Sequence, residues 1–479
     1  DTTECFELES RGSKIVVRGN SSASIAVGLN HYLKNYCLTT VSWHACNPVE
    51  MPAVLPRIDE KVRVESRARE RFFLNYCTFG YTMPWWGWTE WERFIDWMAL
   101  QGVTMPLAIT GQEAVWQRVW TRLGLSDEEV RAYFTGPAHL PWHRMSNIDR
   151  WQGPLPEEWI DGQLALQQRI LARERELGMK PVLPAFAGHV PQELKRLHPD
   201  ARITRVSYWG GFDDRYRCSF LDPMDPLFAV IQREFLTEQT RLFGTGHIYG
   251  ADPFNEIDAP TWDPETLAGM SRHIYESMAE VDPEAVWLQM GWLFYADPTH
   301  WTAENIRAFL GAVPQDRLLM LDYFCEFTEI WKQTEKFHGQ PYLWCYLGNF
   351  GGNTMLSGNF HTVSARMEDA FAHGGDNLRG VGSTLEGFGV NQFMYEFVLD
   401  KAWNTGIADD EWIARLADRR TGFRDPAART GWRTLCDSVY TLPAQTGQSP
   451  LTNAHPALEG NWHWTTKPTT GYRFPTLWR

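Results

Sequence analysis

RFFLNYCTFGYTMPWWGWTEWERFIDWMALQGVTMPLAIT, residues 71–110, reads as a strand, a helix and a second strand. Its flanks, RFFLNYC (71–77) and VTMPLAIT (103–110), are short β-rich apolar runs. Between them TEWERFIDWMALQG carries apolar side chains at Trp91, Phe94, Ile95 and Met98, one face of a 3.6-residue helix, and meets a stop at Gly102. Outward from this unit the pattern recurs. Six further runs follow: KPVLPAF (180–186), HIYGADPF (247–254), AVWLQMG (285–291), RLLMLDYF (317–324), PYLWCYL (341–347) and RGVGST (379–384). Helical stretches such as DGQLALQQRILARERELG separate them. Eight alternations predict an α/β fold, a (β/α)8 TIM-type barrel, with 111–179 as a long insertion. A doubly wound open sheet is the competing arrangement.

On the N-terminal side KIVVRG (14–19) reads as a strand and SIAVGLNHYLKNYC (24–37) as a helix, giving a small α/β domain over 1–66. The stretch from about Pro48 to Glu70 holds three prolines and many charges, and reads as a linker. The barrel then occupies 67–404. From 405 to 479 the pattern is helical only, DDEWIARLADRRTGF followed by AARTGWRTLCDSVY, until the last thirty residues lose all periodicity.

Composition narrows the function. A formal net charge of −14 over 479 residues, with no basic run, argues against nucleic-acid binding. No stretch approaches the ~18 uninterrupted apolar residues of a membrane span. Tryptophan is abundant, 24 residues, and aromatic rings either fill cores or line sugar-binding clefts. None of the eight cysteines forms a C-x-x-C pair, so zinc and thioredoxin-type centres lack their spacing, and most of the thiols are expected to be free and buried. The chain begins at Asp1 without an apolar leader, as a processed protein or fragment would, and Asn20-Ser21-Ser22 is a formal glycosylation acceptor.

Barrel enzymes carry their reactive groups at the C-terminal ends of strands. Two glutamates stand there among Gly, Pro and aromatic residues: Glu256 after the fourth run and Glu386 after the eighth. Paired carboxyls facing across a sugar are the minimal equipment for glycoside hydrolysis. One of the two would protonate the departing oxygen while the other attacks or activates water. Asn75, Cys77, Asn255, Trp292, Trp344, Asn349 and Phe350 also stand at strand exits and are equipped to bind a sugar, rings on its CH faces and amides on its hydroxyls. His189 is read as a hydrogen-bonded structural histidine rather than a metal ligand. A carbohydrate-binding barrel that does not cleave its ligand stays open as the alternative.

Seven segments carry a family resemblance: GQEAVWQRVW (111–120), FTGPAH (134–139), PVLPAFAGHVP (181–191), HIYGADPFNE (247–256), EAVWLQMGWLF (284–294), NFGGN (349–353) and LEGFGVNQFMYE (385–396). In that order they resemble the α-N-acetylglucosaminidases of glycoside hydrolase family 89, over about residues 12–450. The resemblance implies a retaining enzyme that removes terminal non-reducing α-linked N-acetylglucosamine, with Glu256 as general acid/base, desolvated enough to hold its proton, and ionised Glu386 as nucleophile. It also implies that Asn75, Cys77, Trp142, Trp209, Asn255, Trp292, Phe350 and Tyr395 line the sugar pocket. No metal or organic cofactor is implied, and the partner is a glycan met in a secreted, periplasmic or lysosomal setting. A glycosidase for another α-hexosaminide is the nearest enzymatic alternative. Against the family pattern the N-terminal domain is expected to be shortened, the C-terminal helical domain to be only begun, and Leu385 stands where proline is expected.

Overall fold

The computed structural model describes residues 3–43, 50–351, 356–389 and 391–442. Strands β1 (Cys5–Arg11) and β2 (Lys14–Gly19) form an antiparallel hairpin, and β1 pairs on its other side with β3 (Val62–Glu65). Alternation along β1 buries Phe6 and Leu8 against the helix Ser22–Asn35, which Ser21 caps through a hydrogen bond to the Ser24 N–H. The expected linker is thus partly a strand. Sequence reading missed β3 because VRVE is short and half charged, while its pairing with β1 supplies the order that composition does not show. Asn20, the formal glycosylation acceptor, spends its side chain on the hairpin, accepting from the Cys5 N–H and donating to the Thr3 carbonyl.

The large sheet starts with β4 (Glu70–Phe73), β5 (Met105–Pro106) and β6 (Leu183–Pro184). A small antiparallel sheet interrupts it, formed by β7 (His189–Val190), β8 (Ile203–Arg205) and β9 (Ser219–Leu221) with β9 in the middle. It resumes with β10 (Ile248–Gly250), β11 (Val286–Met290), β12 (Leu318–Asp322), β13 (Tyr342–Tyr346) and β14 (Leu378–Ser383). All eight strands are parallel and pair in the order β5-β4-β14-β13-β12-β11-β10-β6. A parallel bridge between Leu107 and Val182 joins the two ends, with the Ala108 N–H 2.9 Å from the Val182 carbonyl and the Val182 N–H 2.9 Å from that of Pro106. The sheet is therefore a closed barrel rather than a doubly wound one. Each of the eight runs read from the sequence overlaps one of these strands.

β12 and β13 are buried at every position, as parallel strands covered by helices outside and side chains inside must be. The helix Trp88–Leu100 lays Trp91, Phe94, Ile95 and Met98 on the barrel, and several tryptophans fill core: Trp97, Trp120, Trp287 and Trp344 are fully buried. Gly102 turns the chain at φ 78°, where a Cβ would lie 2.6 Å from Val27. Beyond the barrel the helices Asp409–Thr421 and Pro426–Ser438 pack on one another. Arg419 and Arg420 of the first hold the buried Glu396, each at 3.1 Å. The aperiodic last thirty residues and Cys46 lie outside the described residues; the seven described cysteines are free, six of them buried. No described helix is long and apolar enough to cross a membrane.

Candidate active site

Glu256 lies six residues beyond the last residue of β10, and Glu386 three beyond that of β14. Glu256 is exposed, and three N–H groups from separate elements fix its carboxylate. Asn147 Nδ2 and Trp209 Nε1 donate to Oε2 at 3.0 and 2.8 Å, and Trp292 Nε1 donates to Oε1 at 3.3 Å. Glu386 is held differently. Its own N–H donates to the Asn349 carbonyl at 3.1 Å, and its Oε2 accepts the backbone N–H of Gly351 at 2.7 Å. Burial pushes its carboxyl up to about 7, opposed by the Gly351 N–H and reinforced by the negative charge of Glu256. Enclosure thus belongs to Glu386 and exposure to Glu256, the reverse of the environments expected from the sequence. The reason is that Glu256 reaches out on a long loop toward the inserted segments, whereas Glu386 lies close against the exit of β13.

The two acids meet across one cleft. Trp292, the donor to Glu256, packs its ring 6.2 Å from that of Phe350, the residue before the donor to Glu386. Cys77 feels the charge of both, and burial first, then Glu386 and Glu256, push its thiol well above the ordinary range.

Of the residues expected to bind sugar, Trp209 and Trp292 donate to Glu256, Phe350 packs on Trp292, and buried Cys77 lies near both acids. Trp142 stands edge-on to Tyr81 at 5.2 Å, and Tyr81 in turn feels the charge of Glu386. Asn255 is buried beside Glu256 with its Oδ1 unpartnered. Asn75 spends its amide internally, donating to the Thr384 carbonyl at 2.8 Å and accepting the Cys77 N–H at 2.9 Å; it shapes the wall instead of facing the cleft. Asn349 donates to the Gly387 carbonyl at 2.8 Å, leaving Oδ1 unpartnered. Two residues belong elsewhere. Trp344 has no exposed surface and donates its Nε1 to Glu329 at 3.2 Å, because its position on β13 turns it away from the cleft. Tyr395 is likewise fully enclosed, its hydroxyl donating to the Leu347 carbonyl at 3.2 Å from behind the strand exit.

Several groups at the barrel mouth escaped sequence reading. Burial pushes Asp252, Asp322 and Glu326 each up to about 7. Asp252 accepts the Met290 N–H at 2.7 Å and leaves Oδ2 unpartnered. Glu326 accepts the N–H groups of Leu347 and Gly348 at 3.1 and 2.5 Å, and so shapes the turn that delivers Gly351. Asp252 and Asp322 were visible as strand-end acids; nothing in spacing alone marked Asn147 or Gly351.

Two described groups bring three metal-ligating atoms within 4.8 Å: His143, Asp149 and His189, and Asp258, Asp297 and His300. In the first, Asp149 Oδ1 is hydrogen-bonded to His189 Nε2 at 2.7 Å, and His143 Nδ1 lies 3.1 Å from the same oxygen. His189 is accordingly hydrogen-bonded to an acid.

A family model described as the alpha-N-acetylglucosaminidase (NAGLU) tim-barrel domain matches residues 71–405, and one described as the corresponding N-terminal domain matches 1–57. Human (Homo sapiens) alpha-N-acetylglucosaminidase is 42% identical over 456 residues, 94% of this chain and 61% of its own length. A family 89 glycoside hydrolase from Clostridium perfringens, solved with 2-acetamido-1,2-dideoxynojirmycin, superposes with a TM-score of 0.89 at 29% identity, covering 99% of this chain and 53% of its own. The same bacterial protein with two glutamates changed to glutamine, in complex with its substrate GlcNAc-alpha-1,4-galactose, matches with the same TM-score of 0.89 at 28% identity and the same coverage, 99% and 53%. This chain spans 61% of the human relative and about half of the bacterial one.

Proposed function

The chain belongs to the alpha-N-acetylglucosaminidase family, glycoside hydrolase family 89, and from that premise we propose that it hydrolyses terminal non-reducing α-linked N-acetylglucosamine with retention of configuration. One observation carries the reading: the acid at the exit of β14 feels the negative charge of the acid beyond β10, whose donors Trp209 and Trp292 lead through Phe350 to the turn that holds Glu386. Glu256 gives its proton to the glycosidic oxygen as the C1–O bond breaks, and a carboxylate oxygen of Glu386 bonds to C1 from the opposite face. In the second step Glu256, now the base, takes a proton from water as that water attacks C1. The sugar leaves and Glu386 is restored as a carboxylate.

The sugar's own acetamido group is a poor substitute for Glu386. In an α-linked N-acetylglucosamine, attack opposite the leaving group would demand a strained trans-fused ring. Burial of Glu386 suits the role, since an ill-solvated carboxylate is compensated when positive charge develops at C1. Asn255 and Asn349 each keep an unpartnered amide oxygen, suited to accept from a sugar hydroxyl or amide N–H. The chemistry requires carboxyls and water alone, and a glycan substrate of this kind is met in a secreted, periplasmic or lysosomal compartment.

The test is release of phenol from an aryl α-N-acetylglucosaminide. Turnover that Glu386→Gln abolishes, and that Glu256→Gln lowers steeply for phenol but little for 2,4-dinitrophenol as leaving group, supports the proposal. Binding without turnover would favour a carbohydrate-binding barrel, and faster cleavage of the aryl α-N-acetylgalactosaminide would favour a different hexosaminidase.

A further inference from the structure

The two donors to Glu256 Oε2, Asn147 and Trp209, stand on two insertions, and both insertions converge on one buried acid. Asn147 lies in the turn 146–150, whose ends, Ser146 and Arg150, adopt left-handed φ values of 64° and 65°. Side chains other than glycine are strained in that region, so the turn persists only where its surroundings hold it. Asp149 is what holds it. Its backbone N–H donates to the Tyr216 carbonyl at 2.9 Å, and its Oδ1 receives His189 Nε2 from β7 at 2.7 Å and the Cys218 thiol at 3.4 Å. His143 Nδ1, from the helix Leu140–Arg144 that also bears Trp142, lies 3.1 Å away. Cys218 and Tyr216 close the loop between β8 and β9, and Trp209 stands on that loop. The segments carrying both donors to Glu256 Oε2 are therefore pinned at a single carboxylate.

We propose that Asp149, clamped between His143 and His189, is a positioning residue that orients Asn147 and Trp209 onto Glu256. This rests on the acid/base reading of Glu256 given above. Asp149 is almost fully buried, where an unpaired carboxylate is strongly disfavoured; the fold tolerates it because the His189 imidazole and the Cys218 thiol meet it. Although burial alone would raise it, the charge of His189 and the contacts of both histidines hold its carboxyl down to about 2. The cluster is sealed by Tyr133, whose ring lies 4.5 Å from that of His143 and 5.1 Å from that of His189. Outside it, the charges are already spoken for: Arg144 pairs with Glu113 at 2.8 Å and Arg150 with Glu193 at 2.7 Å. Asp149 touches no part of the cleft itself, so its influence on the reaction passes through Asn147 and Trp209.

The experiment compares two substrates on the whole chain. An alkyl α-N-acetylglucosaminide needs protonation of its leaving oxygen, whereas a 2,4-dinitrophenyl one does not. Asp149→Asn is expected to lower kcat/KM about 100-fold on the alkyl substrate and less than about 3-fold on the dinitrophenyl one. Asn147→Ala should show the same split, and the double variant should be little worse than the more impaired single variant. Equal losses on both substrates, no loss on either, or additive losses overturn the inference. Should Asp149→Asn not fold, His189→Gln is run on the same pair and read by the same criteria. Inactivity of the unaltered chain on both substrates is distinguishable: it overturns the hydrolase reading on which the inference rests.

Discussion

Gly351 sets its backbone N–H 2.7 Å from Oε2 of Glu386, so the exit of β13 holds the carboxylate that rises from the exit of β14. The residue must be glycine because a Cβ at position 351 would run into the ring of Tyr81. Gly351→Ala is expected to displace that turn and lower kcat/KM on an aryl α-N-acetylglucosaminide about 10- to 100-fold, since small misplacements of a reacting group carry such penalties. Gly351→Ala/Tyr81→Ala, which removes the obstacle, should recover part of the loss. Steady-state kinetics of the two variants decide it.

Charge coupling between the acids has its own signature. The negative charge of Glu256 contributes to raising the Glu386 carboxyl, so Glu256→Gln should move the acid limb of the kcat/KM profile to lower pH. The profile is measured with the dinitrophenyl substrate, which that variant still turns over. An unmoved limb would mean that the two carboxyls do not share a cleft.

Stability should report the burial of Glu386 as well. Its carboxyl is raised from 4.5 to about 7 in the folded protein, so it favours the folded state most below pH 4.5 and that contribution is lost as pH rises through 7. Glu386→Gln escapes the loss. Against the unaltered chain it should gain little at pH 4 and on the order of 1–3 kcal/mol at pH 8, read as a higher Tm by calorimetry.

Trp344 gives a contrast, since it stands behind the barrel wall. Trp344→Phe would remove one of the two indole donors to Glu329 Oε1, leaving Trp331 at 3.0 Å. A stability loss of about 1–3 kcal/mol with KM unchanged is expected, from thermal unfolding and kinetics on the same preparation.

What the sequence revealed follows from which features are periodic. Barrel strands such as RLLMLDYF and PYLWCYL are covered on both faces, so their burial is written as continuous apolar runs, and Glu256 and Glu386 were found because they follow such runs. β3 and the small sheet of β7, β8 and β9 were not, since strands of two to four residues owe their order to pairing partners distant in sequence. Trp344 was assigned to the cleft because proximity to a strand exit says nothing about which face of the strand a ring leaves from, and Tyr395, on the helix Gln392–Lys401, because the family resemblance implied it. Asn147 and the Asp149 clamp were invisible for the same physical reason: their partners, Glu256, His189 and Cys218, come from other insertions and are adjacent only once the barrel closes.

The most direct measurement is capture of the covalent intermediate. A 5-fluoro-α-N-acetylglucosaminyl fluoride, which slows release of the sugar from the enzyme, is incubated with the chain, and the digested protein is analysed by mass spectrometry. Attack by Glu386 predicts one added sugar on the peptide that contains residue 386, and none on Glu386→Gln. Turnover of the reagent with no labelled peptide, or a label on any other carboxylate, would contradict it.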